Sequence, residues 1–216
     1  MGRGATQRRA VARQEMREDI LRTAREMIAS EGLANLSLRG IARSLGYSPA
    51  ALYEYFASKE AIAKALYFEG AEGLAGQMDR ALQELPAGTP PLNAKKTLGR
   101  AYRAYAQQNR ELFLLVFGSG DSFSTLSEQL GEGNNGYEAL LSVVNLGLVS
   151  GEFVDAPAEA LAFTAWAAVH GFVMLELACV FDQEERVPAP HVPSEITPDE
   201  LFELHMELID LGMRRR

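Results

Sequence analysis

Leu36 to Ala65 reads LSLRGIARSLGYSPAALYEYFASKEAIAKA, and its apolar residues fall into two short helical registers separated by a glycine. Leu38, Ile41, Ala42 and Leu45 recur at helical spacing, Gly46 breaks the helix, Ser48-Pro49 starts another, and Ala51, Leu52 and Phe56 supply the next apolar face. Ser58-Lys59 then opens a third helix. Two short helices across a tight turn, with a longer one behind them, form a helix-turn-helix.

Each exposed position in this stretch has a physical use against DNA. Ser37 is placed to cap the first of the two short helices, turning free backbone N–H groups toward a phosphate. Arg39 projects from its first turn with a fork suited to a phosphate or a guanine edge. Ser48 caps the next helix and Pro49 occupies its first position without losing a hydrogen bond. Pro49, Ala50 and Ala51 are small enough to let the backbone approach a groove floor and touch thymine methyls. Tyr53 and Tyr55 offer hydroxyls to flanking phosphates, and Lys59 adds a cation at a helix start. Glu54 would repel phosphate and is expected to point away from DNA. The competing reading is a plain helical hairpin with a core of aromatics.

Charge separates this region from the rest. Residues 1–70 carry 11 Lys/Arg against 8 Asp/Glu, whereas the remaining residues carry 10 against 21. Only the front part is suited to a polyanion. Arg3, Arg8, Arg9 and Arg13 precede the first acidic residue, Glu15, so residues 1–13 read as a basic arm. Such an arm is either a solvated tail or a further DNA contact.

With 216 residues and 47% apolar composition, the chain can bury a substantial core. Helical periodicity runs almost throughout, and no stretch alternates at period two long enough for a sheet. A first helix is expected over 14–30, ended by Gly32, followed by 38–45, 49–55 and 59–85. Pro86 to Pro91 breaks the pattern. Beyond it, helices are expected near 92–108, 110–117, 123–130, 136–150, 157–181 and 198–214, with a proline-rich loop at 184–194. Gly70, Gly73 and Gly76 are placed to let the 59–85 helix bend.

The order SLRGIARSLGYSPAALYEYFASKEAI, preceded by AREMIASEGL, resembles the DNA-binding domain of TetR-family transcriptional regulators over roughly residues 14–66. The resemblance implies an all-α fold, with an N-terminal three-helix helix-turn-helix DNA-binding domain over 14–66. A long helix would join it to a C-terminal ligand-binding and dimerisation bundle over 67–216. It also implies that the 49–55 helix enters the major groove. DNA-contacting roles then fall to Ser37, Arg39, Ser48, Pro49, Ala50, Tyr53, Tyr55 and Lys59. Leu38, where many members have threonine or valine, and Gly40, a weak helix former, depart from the family pattern.

Farther along, Trp166-Ala167-Ala168-Val169-His170-Gly171 resembles the W-x-x-x-H-G signature of one C-terminal subgroup of that family. Trp166 and His170 lie four apart on one helix face, with Phe163 and Met174 extending the stripe. A stripe of this kind is more often core than ligand pocket, and a lone histidine on it more often a satisfied core residue than a ligand contact. As pocket residues it would be joined, on size and helical phase, by Tyr102, Phe113, Phe117 and Tyr137. The effector would be a largely apolar small molecule. The 157–181 helix is apolar over most of its circumference, so it must be buried on several sides. With the 198–214 helix it makes a natural homodimer interface, and a symmetric dimer reads a palindromic operator.

Other signals lead nowhere. Gly131 to Gly136 fits G-x-G-x-x-G by letter, but no strand precedes it. Cys179 and the three histidines lack metal-ligand spacing, no cofactor is implied, and no nucleophile motif proposes a catalytic residue. No run reaches about 18 uninterrupted apolar residues, and one cysteine cannot form an internal disulfide, so a reducing cytoplasm and no membrane are expected. The expected function is a ligand-responsive, sequence-specific DNA-binding transcriptional regulator, a repressor rather than an enzyme. The alternative is a helical small-molecule-binding protein or enzyme that retains a helix-turn-helix scaffold.

Overall fold

A computed structural model of the chain describes residues 3–117, 136–178 and 196–215. The described residues form nine α-helices: α1 (Arg3–Glu31), α2 (Leu38–Leu45), α3 (Pro49–Tyr53), α4 (Lys59–Gln83), α5 (Pro91–Gln108), α6 (Arg110–Phe117), α7 (Tyr137–Val149), α8 (Ala158–Leu177) and α9 (Pro198–Met213). No strand occurs among them, only an isolated bridge between Phe153 and Arg214. The helix expected at 123–130 and the loops at 131–135 and 184–194 lie outside the described residues, as do Cys179 and His191.

Two compact units divide the described residues, one of 3–70 with 111–117, the other of 71–110 with 136–178 and 196–215. This differs from a cut at 66/67. Leu112 and Leu115 of α6 join the buried cluster of Ile20, Ile41, Leu52, Phe56, Ile62 and Leu66, so a helix far along the chain completes the core of the first unit. A short unit of about 60 residues has little surface to bury, and an added amphipathic helix supplies more.

The turns follow local chemistry. Ser37 Oγ accepts from Gly40 N at 3.1 Å and Ser48 Oγ from Ala51 N at 3.3 Å, so both short helices begin on a side-chain cap. Gly46 sits at φ 73°, where its N–H closes α2 on carbonyls within it and a β-carbon would be strained. The helix α3 ends at Tyr53, two residues early, because Tyr55 N and Phe56 N both return to the Leu52 carbonyl, at 2.9 and 3.0 Å. The basic arm is also revised, since α1 is continuous from Arg3. Nothing from Ala5 to Arg13 breaks a helix, and alanine, arginine and glutamine rank among the better formers.

Gly70 and Gly73 have packing roles. A β-carbon on Gly70 would lie 2.9 Å from Val116 Cγ2 and 3.1 Å from the Leu112 carbonyl oxygen, so α6 sits directly on α4 there. One on Gly73 would meet the Tyr105 hydroxyl at 2.6 Å, whereas at Gly76 the nearest atom is an arginine nitrogen at 3.4 Å. Gly70→Ala should therefore cost about 1–3 kcal/mol through overpacking. Gly76→Ala should be neutral or stabilise by up to about 1 kcal/mol. Thermal unfolding of the two variants checks this, and equal melting temperatures would contradict it.

In the second unit α5 packs on α7, α8 and α9, and α8 packs on α7 and α9. Its core holds Leu98, Tyr102, Val144, Phe153, Val173 and Phe202, among others. By length and hydropathy alone α8 could cross a membrane. Its buried residues, including Leu161, Ala165, Val169 and Phe172, are those of a bundle's central helix. Arg103, nearly buried on α5, bonds Glu176 Oε1 at 2.6 Å and Asp199 Oδ1 at 2.8 Å, tying α5, α8 and α9 together.

Candidate nucleic-acid interface and interior pocket

Beneath α2 and α3 the apolar residues Leu38, Ile41, Leu52 and Phe56 are buried, and this leaves the polar residues of the same helices outside. Ser37, Arg39, Ser48, Pro49, Ala50 and Lys59 are exposed, and Tyr53 keeps 58% of its surface. Ala51 and Tyr55 are half-buried, and Tyr55 packs against the core. Glu54 is exposed at the end of α3. Tyr47, 49% exposed in the turn between α2 and α3, stands beside these residues and escaped a reading based on helical register. So did Arg43, exposed in the last turn of α2.

Two arginines of α1 hold the far end of α3. Arg13 Nη2 donates to the Glu54 carbonyl at 3.0 Å, with its guanidinium 5.6 Å from the centre of the Tyr55 ring. Arg17 Nη1 donates to the Tyr55 carbonyl at 3.0 Å and its guanidinium lies 4.1 Å from the centre of the Phe56 ring. A helix C-terminus leaves carbonyls unsatisfied and favours cations, so these contacts hold a five-residue helix that could not persist alone. Arg8 and Arg9 extend along α1 as exposed cations.

The candidate pocket residues separate into groups. Tyr102, Tyr137, Trp166 and His170 come together: Trp166 Nε1 donates to Tyr102 Oη at 3.3 Å, and Tyr102 Oη lies 2.8 Å from His170 Nδ1. The Tyr137 and Trp166 rings meet edge to face at 6.0 Å. An indole N–H can only donate, so the tyrosine hydroxyl accepts from Trp166 and shares its second hydrogen bond with His170 Nδ1. Phe163 touches Trp166 but is 60% exposed, and Met174 is half-buried on the same helix. Phe113 and Phe117 pair with each other at 4.9 Å in α6, which belongs to the first unit, so they do not line the Tyr102 cavity. Helical phase could not reveal that α6 belongs to the first unit.

That cavity measures about 30 Å³, room for roughly two waters. Besides Tyr102 and Trp166, its walls include Met78, Leu98, Leu140, Val169, Met206 and the buried Lys95. None of these six was foreseen, since each reads in sequence as ordinary helix filling. Among the described residues no group of three His, Cys, Asp or Glu is placed to hold a metal ion.

Burial lowers the pKa of His170 below its ordinary value. On acidification the unfolded chain therefore takes up this proton first. The stability His170 contributes is fully present above about pH 6.5 and is lost as pH falls from there toward the lowered value. His170→Gln should show a shallower loss of stability from pH 6.5 to 5 in denaturant unfolding. An unchanged slope would contradict the assignment.

The model of the tetR family of bacterial regulatory proteins matches residues 20–66, and that of the tetracyclin repressor-like C-terminal domain matches 96–208. The HTH-type transcriptional regulator Rv1816 of Mycobacterium tuberculosis is 31% identical over 112 residues, 52% of this chain and 47% of the relative. The chain spans about half the length of the curated relatives it matches. A protein of unknown function from Rhodococcus sp. RHA1 shares the fold with a TM-score of 0.74 at 24% identity, covering 92% of this chain and 95% of the other. The ketosteroid transcriptional regulator KstR2 of Mycobacterium tuberculosis shares it with a TM-score of 0.61 at 19% identity, covering 93% and 96%. With both halves matched in order and the front match falling on the capped α2–α3 pair, the chain belongs to the TetR family, whose members are DNA-binding transcriptional regulators rather than enzymes.

Proposed function

We propose that this protein is a homodimeric, ligand-responsive repressor that reads a palindromic operator with α2 and α3. The observation carrying this reading is the exposed polar edge over a buried core: Ser37, Arg39, Ser48, Tyr53 and Lys59 face solvent while Leu38, Ile41, Leu52 and Phe56 are buried. Pro49, Ala50 and Ala51 let the start of α3 reach base edges, Tyr53 and Lys59 hold phosphates, and Tyr55 supports α3 with its hydroxyl near the flanking strand. Binding of the purified protein to DNA upstream of its own gene, followed by fluorescence anisotropy, tests it. Affinity should fall steeply with salt, and the double variant Tyr53→Ala, Lys59→Ala should bind at least tenfold more weakly with a smaller salt slope. Salt-insensitive binding, or a variant equal to the parent, would sink the proposal.

The second protomer would pack on α8 and α9. Phe163, Leu175, Leu204, Leu208 and Leu211 are large, apolar and exposed there, and a β-carbon on Gly171 would meet nothing within 4 Å. Such a surface is more than scattered exposed leucines and suits a partner helix. The effector, a largely apolar molecule, would enter beside Trp166, Tyr102, Tyr137 and His170, and would act through its differential affinity for two conformations of the dimer. A cavity of 30 Å³ also supports a second reading, a regulator with no small-molecule effector. DNA release on titration with apolar compounds separates the two.

A further inference from the structure

We propose that the cavity beside Trp166 is the closed form of a pocket for a small apolar molecule bearing one carboxylate. In this proposal the carboxylate is taken by the Lys95 ammonium, and Met78 and Met206 are the walls that yield. This rests on the effector reading above and assigns the chemistry of the ligand.

Lys95 is 2% exposed, on the inner face of α5 between Leu92 and Leu98, and it borders a cavity otherwise walled mainly by apolar side chains. Burying an ammonium is costly unless its hydrogens are satisfied. Its counter-ion is Asp210, whose Oδ1 lies 2.6 Å from Lys95 Nζ, and Lys96 Nζ lies 3.2 Å from the other oxygen of the same carboxylate. Two ammoniums thus share one carboxylate. The adjacent Arg100 does not alter that surplus, because Glu203 binds it through both oxygens, at 2.7 and 2.6 Å. An ammonium has three N–H donors, and among the described residues Asp210 is the one carboxylate within ion-pair distance of Lys95. The Lys95–Asp210–Lys96 group carries one surplus positive charge and so matches a monoanion, whereas a doubly charged phosphate would bring uncompensated charge into the interior.

The methionines explain how so small a cavity could admit a ligand. A β-carbon on Gly99 would lie 2.6 Å from Met206 Cε, so the glycine provides the notch in which the thioether rests. Met78 occupies a similar notch over Gly136. Methionine has three soft side-chain torsions and repacks at low cost, while Tyr102 and Trp166 are tied by their hydrogen bond. Swinging both methionines aside enlarges the space without breaking a polar contact. A ligand carboxylate on Lys95 then competes with Asp210, which lies on α9, so occupancy is felt at a helix of the proposed dimer face.

Trp166 is the chain's one tryptophan and lines the cavity, so its emission reports occupancy. The experiment titrates the full chain with straight-chain carboxylates of six to fourteen carbons and with aromatic carboxylates, each beside its matched alcohol. At least one carboxylate should shift Trp166 emission saturably, with its alcohol at least tenfold weaker. Lys95→Met should abolish that difference. If Lys95→Met fails to fold by circular dichroism, Lys95→Met, Asp210→Asn removes the stranded carboxylate and serves in its place. Alcohols that bind as tightly as their acids, or a Lys95 variant that keeps the preference, overturn the inference and leave the effector reading standing. No response to any compound overturns both.

Discussion

Leu208→Glu, Leu211→Glu should convert the protein to a monomer in sedimentation and weaken operator binding by about 10³-fold. The two leucines are 59% and 69% exposed on α9, so two carboxylates there remain solvated in a single protomer and the bundle keeps its fold. Across a symmetric interface each glutamate would be desolvated, and the pair would face its own copy, which makes every introduced charge count twice. Loss of the proposed dimer would leave one head on one half-site. The gap between specific and non-specific affinity is about 10³ or more, and most of it rests on reading both half-sites together. A double variant that stays dimeric, or a monomer that holds the operator as tightly as the parent, would refute this arrangement. Circular dichroism should show unchanged helicity, which separates lost pairing from lost folding.

Leu52→Ala should destabilise the DNA-reading unit by about 2–5 kcal/mol, enough to abolish DNA binding near 37 °C while α8 and α9 remain folded. Leu52 is 1% exposed and is the one fully buried side chain of the five-residue α3. Its removal takes away the anchor that holds α3 on the core, and the Arg13 and Arg17 contacts to the Glu54 and Tyr55 carbonyls depend on α3 staying in place. Total stabilities are only about 5–15 kcal/mol, so a loss of this size in a small unit is decisive. Hydrogen exchange of the amides in α2 and α3, compared with those in α8, measures it. Uniform protection in both units would contradict the expectation.

The first unit was legible because its signals are local. Ser37, Gly46, Ser48 and Pro49 act on backbone within three or four residues of themselves, and the structure shows the caps and the left-handed turn they announce. Helix spans inside the described residues were readable for the same reason, the clearest misses being the start of α1 and the end of α3. The start was lost because a cluster of arginines resembles a solvated arm, although the same residues are sound helix formers. The end was lost because the chain turns there with the Tyr55 and Phe56 N–H groups both on the Leu52 carbonyl, and the carbonyls beyond are collected by arginines of α1 38 and 41 residues away.

The interior site divided along the same line. Trp166 and His170 share a face by periodicity alone, whereas their partner Tyr102 stands 64 and 68 residues away and is joined to them only when α5 meets α8. Phe113 and Phe117 have the same apolar character as Tyr102, yet α6 turns away to complete the first unit. Lys95 is the strongest case, since nothing local distinguishes it from the neighbouring Lys96. Asp210, near the end of α9, reaches it only across the fold, and burial makes one lysine a wall of the cavity and leaves the other partly in solvent. Caps, breakers and helical phase act over a few residues and so can be read in order along the chain. Which faces meet, and therefore which charges lose their water, is a matter of packing between distant helices, and only the folded bundle decides it.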